Sequence, residues 1–200
     1  MKVITDRTAN PFGITPPCGD YVPGRGDPNA DFHLVLDRPE ATASAGPLGG
    51  AAWNPLRAVL DSAGLFSDGE PTDCFVSYRY PCRQSAEPTA AQRRQVEPVF
   101  DAELRAVTAH VLLPVGARAV ESVLRSYTST RPDDLDVEEI HGQEITSGSW
   151  IVLPIKDPAQ WTEGDEQTLA ESLDQLMARD YRRECDLGRH VTGGDAYIVR

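Results

Sequence analysis

The feature that most constrains this chain is a repeated alternation of short, nearly all-apolar runs with helical stripes. The runs are "DFHLVLD" (Asp31 to Asp37), "DCFVSYRY" (Asp73 to Tyr80), "HVLLPVG" (His110 to Gly116) and "SWIVLPI" (Ser149 to Ile155). Each is too short for a buried helix and too apolar for a strand with one wet face. Helical signals separate them. Asn54-Pro55 offers an N-cap with proline at the first helical position, ahead of a stripe of Trp53, Leu56, Val59 and Leu60 and a capping Gly64. Thr89-Ala90-Ala91-Gln92 is a capping box opening a helix striped by Val96, Val99, Phe100, Leu104 and Val107, with Pro98 as a kink-prone position. Ala117, Val120, Val123 and Leu124 mark a third helix, and Leu169, Leu173, Leu176 and Met177 a fourth.

Strands buried on both faces and joined through helices predict an α/β fold. The expected form is a three-layer α/β/α sandwich around a mainly parallel four-stranded sheet. The 200 residues suit one core. Residues 1–30, rich in Pro, Gly and Asp, read as an irregular arm. Residues 31–181 form the α/β domain, and residues 182–200 a tail packed on it, whose end offers an edge strand. Thr128 to Gly148, with "RPDDLDVEE", reads as an acidic loop.

Charge narrows the setting. Acidic residues number 31 against 19 basic ones, a net charge of −12, and lysine occurs only at positions 2 and 156. Dispersed carboxylates with few lysines suit a halophile's cytoplasm, where salt screens long-range repulsion; an acidic protein of ordinary salinity is the other reading. Net negative charge disfavours non-specific DNA affinity at low salt, but in molar salt local charge decides. No apolar run reaches membrane-span length, and the N-terminal residues lack a signal-peptide core, so a cytoplasmic monomer is expected. Cys18, Cys74, Cys82 and Cys185 form no C-x-x-C pair and have no histidine at zinc-ligand spacing, so free thiols are expected.

Parallel α/β sheets bind ligands beyond the carboxyl ends of their strands, which puts the loops after Asp37, Tyr80, Gly116 and Ile155 on one face. Asp37 there is either a water-positioning carboxylate or a partner for Arg38. Arg79, Arg83, Arg93 and Arg94 make the most basic segment of the chain beside Tyr78 and Tyr80. Cations next to aromatics suit single-stranded nucleic acid, and solvated helix arginines are the alternative. His33 reads as a packed core histidine.

The strand ends, with "NPFG", "GDPNADFHLVLD" and "FDAELRAVTAHVLLPVGARA", resemble the uracil-DNA glycosylase superfamily. The closest likeness is to its family-four-like branch of halophilic archaea. The resemblance covers roughly Asn10 to Tyr181. It implies a base flipped into a pocket and read along its edge, with charge stabilised on sugar and departing base. The family's Gly-Glu-Ala-Pro-Gly corresponds to Leu36-Asp37-Arg38-Pro39-Glu40, which keeps a carboxylate and the turn but loses both glycines. Its Pro-Phe-Val-Gly corresponds to Pro47-Leu48-Gly49-Gly50, with leucine for the stacking aromatic. Its base-reading asparagine corresponds to Tyr78, beside Ser77, and its His-Pro-Ser to Asp157-Pro158-Ala159.

The resemblance therefore implies a divergent glycosylase-like protein acting on DNA, or an inactive nucleic-acid-binding module on the same fold. Asp37 and Lys156 are its catalytic candidates; Arg38, Pro39, Leu48, Ser77, Tyr78 and Asp157 would meet the base, and Arg79 and Arg83 the strand. Asp37, Leu48, Tyr78 and Lys156 are expected to line one pocket. Cys18 and Cys82 resemble two of four iron–sulfur ligands whose partners are absent, so no cluster is expected. A nucleobase or nucleotide enzyme on this scaffold is a further reading.

Overall fold

Five consecutive buried residues, Phe32–Leu36, form the central strand of the protein. The computed structural model describes residues 17–40, 48–129, 136–147 and 150–188, with two short strands at 191–192 and 195–196. "NPFG", Pro47, His190 and the whole "RPDDL" stretch lie outside the described residues. In chain order the elements are β1 (Arg25–Gly26), β2 (Phe32–Leu36), α1 (Asn54–Ser62), β3 (Phe66–Ser67), β4 (Glu70–Pro71), β5 (Cys74–Tyr78), α2 (Ala90–Ala106) and β6 (Val111–Pro114). Then follow α3 (Ala117–Tyr127), β7 (Ile145–Ser147), β8 (Trp150–Val152), α4 (Asp165–Met177), α5 (Tyr181–Gly188), β9 (Val191–Thr192) and β10 (Asp195–Ala196).

The main sheet has six strands in the order β1-β5-β2-β6-β8-β7. The four expected strands pair in parallel at its centre, with Leu34 opposite both Val76 and Leu113. The two antiparallel edge strands were not expected: β1 comes from the arm and β7 from the acidic excursion. A strand of two or three residues carries too few side chains to show a period, so its pairing is a tertiary event. β9 and β10 pair with each other instead of extending this sheet. Asp68 and Gly69, both at positive φ, turn the β3–β4 hairpin.

Alternation along the strands builds the layers. Phe32, Leu34, Leu36, Val76 and Tyr78 pack with Leu56 and Leu60 of α1 and Leu169 and Leu173 of α4. Val35, Leu112 and Val152 pack with Phe100 and Leu104 of α2 and Val120 and Val123 of α3. Helices thus cover both faces of a mainly parallel sheet. The helix ends follow the local chemistry. Thr89 and Gln92 cap α2 reciprocally, and α2 runs on through Pro98. Gly64 closes α1 in the left-handed region, where the Leu65 N–H reaches the Leu60 carbonyl at 2.9 Å.

One polar chain crosses the core. His33 is fully buried, with Nε2 2.7 Å from the Ser77 hydroxyl, and burial pushes its pKa down to about 3. Ser77 also meets Glu103, whose carboxyl is pushed up to about 8 by burial, against hydrogen bonds from Ser77 and the Gly24 backbone.

The cysteines depart from expectation. Cys18 and Cys82 form a disulfide, while Cys74 and Cys185 are buried and lie outside it. The free-thiol reading assumed scattered positions and a cytosolic address. The arm returns beside β5, with Tyr21 bridged to Cys82, and brings the two sulfurs together across 64 residues. Bonded to one another, neither sulfur is a thiolate ligand for iron.

Candidate functional site

In the sheet the chain leaves β2 towards β5 on one side and leaves β6 towards β8 on the other. The carboxyl ends of β2 and β6 are therefore the topological switch point, where neighbouring loops part and a crevice opens. A cleft of about 350 Å³ lies there, walled by Asp37 and Arg38 after β2, Gly116 to Arg118 after β6, Trp53 ahead of α1, and Asp157 and Gln160 after β8. Gly116, at φ 79°, makes the sharp turn into α3, a conformation that a side chain would strain. The half-buried Trp53 ring is the aromatic wall. Its indole N–H donates to Glu40 at 3.1 Å, which fixes its orientation.

Asp37 does stand at the carboxyl end of β2, in the cleft wall, but its charge is committed. Arg93 of α2 reaches both carboxylate oxygens, Nη1 to Oδ1 at 2.6 Å and Nη2 to Oδ2 at 3.1 Å. Glu87, in the loop before α2, gathers Arg93 at 2.8 Å, Arg38 at 3.2 Å and also Arg118. Asp37 and Glu87 together thus hold three arginines at the cleft mouth.

Lys156 does not join this cleft. Its ammonium is buried and lies 2.6 Å from the Asp165 carboxylate at the start of α4. Desolvation opposes ionisation of Asp165, but hydrogen bonds from Lys156 and from the Thr162 hydroxyl and N–H prevail and hold its carboxyl at about 2. The surrounding backbone is pinned as well: the Lys156 N–H donates to His141 Nδ1 at 3.2 Å, and the Trp161 indole donates to the Lys156 carbonyl at 2.9 Å. Asp157, next in sequence, points outward and accepts from the Ala159 N–H at 3.0 Å as the cap of a single 3₁₀ turn.

The expected common pocket is corrected in two further places. Leu48 is 2 % exposed and packs in the α1/α4 layer. Tyr78 is in the same layer, where burial pushes its phenol up to about 12. Ser77 is fully buried on the opposite side of the sheet, against His33. Pro39 is buried beneath a shallow depression that it lines with Arg38 and Glu40. Ser77 and Tyr78 turn away from the loops because the pleat of β5 points them into the layers, whereas Leu48 packs into its layer from the turn before α1.

The arginine cluster is divided. Arg83 turns towards the arm, with its Nε donating to the Glu40 carbonyl at 3.1 Å and Nη1 3.5 Å from Asp20. Arg79 turns the other way, under α2, with its guanidinium 4.6 Å above the Phe100 ring. It forms the floor of a groove of about 430 Å³ between α2 and α3, which opens beside the cleft and shares Asp37 and Arg118 with it.

Trp53, Arg118 and Gln160 are site residues that the sequence pattern did not single out as such. Trp53 reads as part of a helical stripe, and Arg118 as an ordinary turn residue; only pairing of β2 with β6 brings them together. No protein-family model matches the chain, and no curated protein matches it.

Proposed function

We propose that this protein is a glycosylase-like module that binds a nucleobase of DNA, in single-stranded form, without excising it. The observation that carries this reading is the pairing of both catalytic candidates. Asp37 is held by Arg93 through two hydrogen bonds, and Lys156 is closed onto Asp165 outside the cleft. A carboxylate bound on both oxygens is poorly disposed to take a proton from water. A buried ammonium facing its own carboxylate offers little to a departing base anion.

Binding needs less. Trp53 supplies a flat face for a base, Gln160 an amide able to donate and accept, and Arg38 and Arg118 positive charge at the mouth. The uracil-DNA glycosylase resemblance supplies the ligand class, and the switch-point position supplies the place.

The test has two arms at controlled high salt. Single- and double-stranded oligonucleotides carrying uracil, hypoxanthine or xanthine are incubated with the protein, and both binding and abasic sites are scored. Expected is binding of single strands without base release, weakened about tenfold by Trp53→Ala, since base stacking is worth about 1–3 kcal/mol. Base release lost in Asp37→Asn would instead establish excision, a second reading kept by the place of Asp37 in the cleft wall. Neither binding nor release would end the nucleic-acid reading.

A further inference from the structure

We propose that the groove between α2 and α3 is a binding site for a chain of phosphate groups. It is lined by Arg79, Arg93, Arg94, Arg118 and Arg125 against three carboxylates, in a chain of net charge −12. Arginine in this protein is otherwise outnumbered, so a surplus of cations in one concave place is a local departure that needs a partner.

The surplus is also unspent. Arg93 and Arg118 are engaged by Asp37 and Glu87, but Arg94 and Arg125 are exposed and form no ion pair among the described residues. Arg79 is the floor. Its side chain is only 13 % exposed, and its nearest carboxylate, Glu97, stands 3.9 Å away, beyond hydrogen-bond length. Among the described residues its Nε and Nη1 have no hydrogen-bond partner. A desolvated guanidinium with so little compensation projects positive potential into the groove, where the low-dielectric walls screen it weakly. Arg79 thus supplies field, while Arg94 and Arg125 at the rim supply the hydrogen-bonding forks.

The spacing selects the ligand. Arg118, Ser122 and Arg125 lie along one face of α3, and two turns of helix separate the arginines by about 10 Å. A single small anion does not reach both, whereas linked phosphates do, and guanidinium forks match phosphate oxygens. The phosphates belong either to a nucleic-acid strand or to a free polyphosphate compound. The site does not depend on a base entering the neighbouring cleft.

The experiment titrates the full chain, at low and at molar salt, with inorganic tripolyphosphate, with a fluorescein-labelled oligothymidylate and with a poly-glutamate peptide. Binding of tripolyphosphate, the oligonucleotide or both is expected, weaker by about tenfold or more in Arg94→Ala/Arg125→Ala. Arg105→Ala, at an exposed α2 position outside the groove, should leave it unchanged. Glu97→Gln, which removes a lining carboxylate, should tighten it. Oligonucleotide binding that depends on Arg94 and Arg125 assigns the phosphates to a strand, and tripolyphosphate binding alone to a free compound. No binding of either, affinity indifferent to the double substitution, or equal affinity for poly-glutamate would overturn the proposal. Trp53→Ala should not change tripolyphosphate affinity, so failure of the base-binding reading remains separable.

Discussion

Arg93, 56 residues beyond Asp37, grips that carboxylate through both oxygens at 2.6 and 3.1 Å. The pair ties the amino-terminal part of α2 to the end of the central strand, at the border of cleft and groove. Each side chain is about one-quarter exposed, so the interaction is neither a wet surface contact nor a fully desolvated one. Removing one partner leaves the other charge half-buried. Arg93→Ala and Asp37→Asn should each destabilise the fold by about 1–2 kcal/mol, with a coupling of about 1 kcal/mol in a double-mutant cycle. Urea unfolding at fixed ionic strength reads this. A coupling within about 0.3 kcal/mol of zero would show the pair to be incidental.

Leu48, which the resemblance implies would meet the base, packs in the core, and Trp53 lines the cleft instead. Leu48→Ala should open a core cavity and cost about 2–4 kcal/mol, while binding of single strands by the folded protein stays at the parent level. Trp53→Ala should do the reverse, with a small loss of stability and weaker binding. Paired urea and anisotropy measurements distinguish them, and a specific binding defect in Leu48→Ala would return leucine to the site.

Glu103 makes stability fall on the alkaline side. Its folded pKa of about 8 exceeds the ordinary carboxyl value of 4.5, so between these the unfolded chain has released a proton that the folded protein retains. The Glu103 contribution therefore declines as pH rises through that window and levels off above about 8, opposed below 6.5 by His33, whose lowered pKa acts in the other direction. Glu103→Gln should flatten the slope and raise stability at pH 9 by roughly 2–4 kcal/mol. Thermal melts from pH 4 to pH 9 check it; an unchanged slope would place the linkage elsewhere.

Asp165 acts at the other end of the scale. Its folded pKa of about 2 lies below the ordinary 3.8, so its contribution is complete above the unfolded value and is lost as pH falls through the folded one. Lys156→Met should lower the melting temperature at pH 7, and the gap from the parent should narrow as pH approaches 2. A gap of constant size would mean that packing, not charge, holds Lys156 in place.

The Cys18–Cys82 bridge closes a loop of 64 residues. Chain-entropy arguments give such a loop about 4 kcal/mol, with 2–4 kcal/mol more usual in practice. Cys82→Ser should lower urea stability accordingly. Thiol titration of the unfolded parent should find two thiols, those of Cys74 and Cys185, before reduction and all four after it. Four reactive thiols before reduction would rule the bridge out.

The parallel strands and main helices were legible because each is written locally. A run such as Phe32–Leu36 carries its own period, and Thr89 with Gln92 its own cap, whatever surrounds them. From those elements the face holding the loops followed, and so did the place of Asp37 on it. What remained hidden depends on partners far along the chain. Lys156 and Asp157 are neighbours in sequence, yet one turns in to Asp165 and the other caps an outer turn. Arg79 and Arg83 part in the same way, one to Phe100 and the other to Asp20.

The sequence by itself determined the layers, because burial periodicity is a property of consecutive residues. Only the tertiary structure decided which charges are spent and which face an open cleft. That depends on strand order and side-chain direction: pairing β2 with β6 sets Asp37 beside Arg118, and packing α2 under β2's end delivers Arg93 to Asp37. A charge's availability is fixed by its nearest opposite charge in space, and for the site's cations that neighbour lies between nine residues away, for Lys156, and 63, for Arg83.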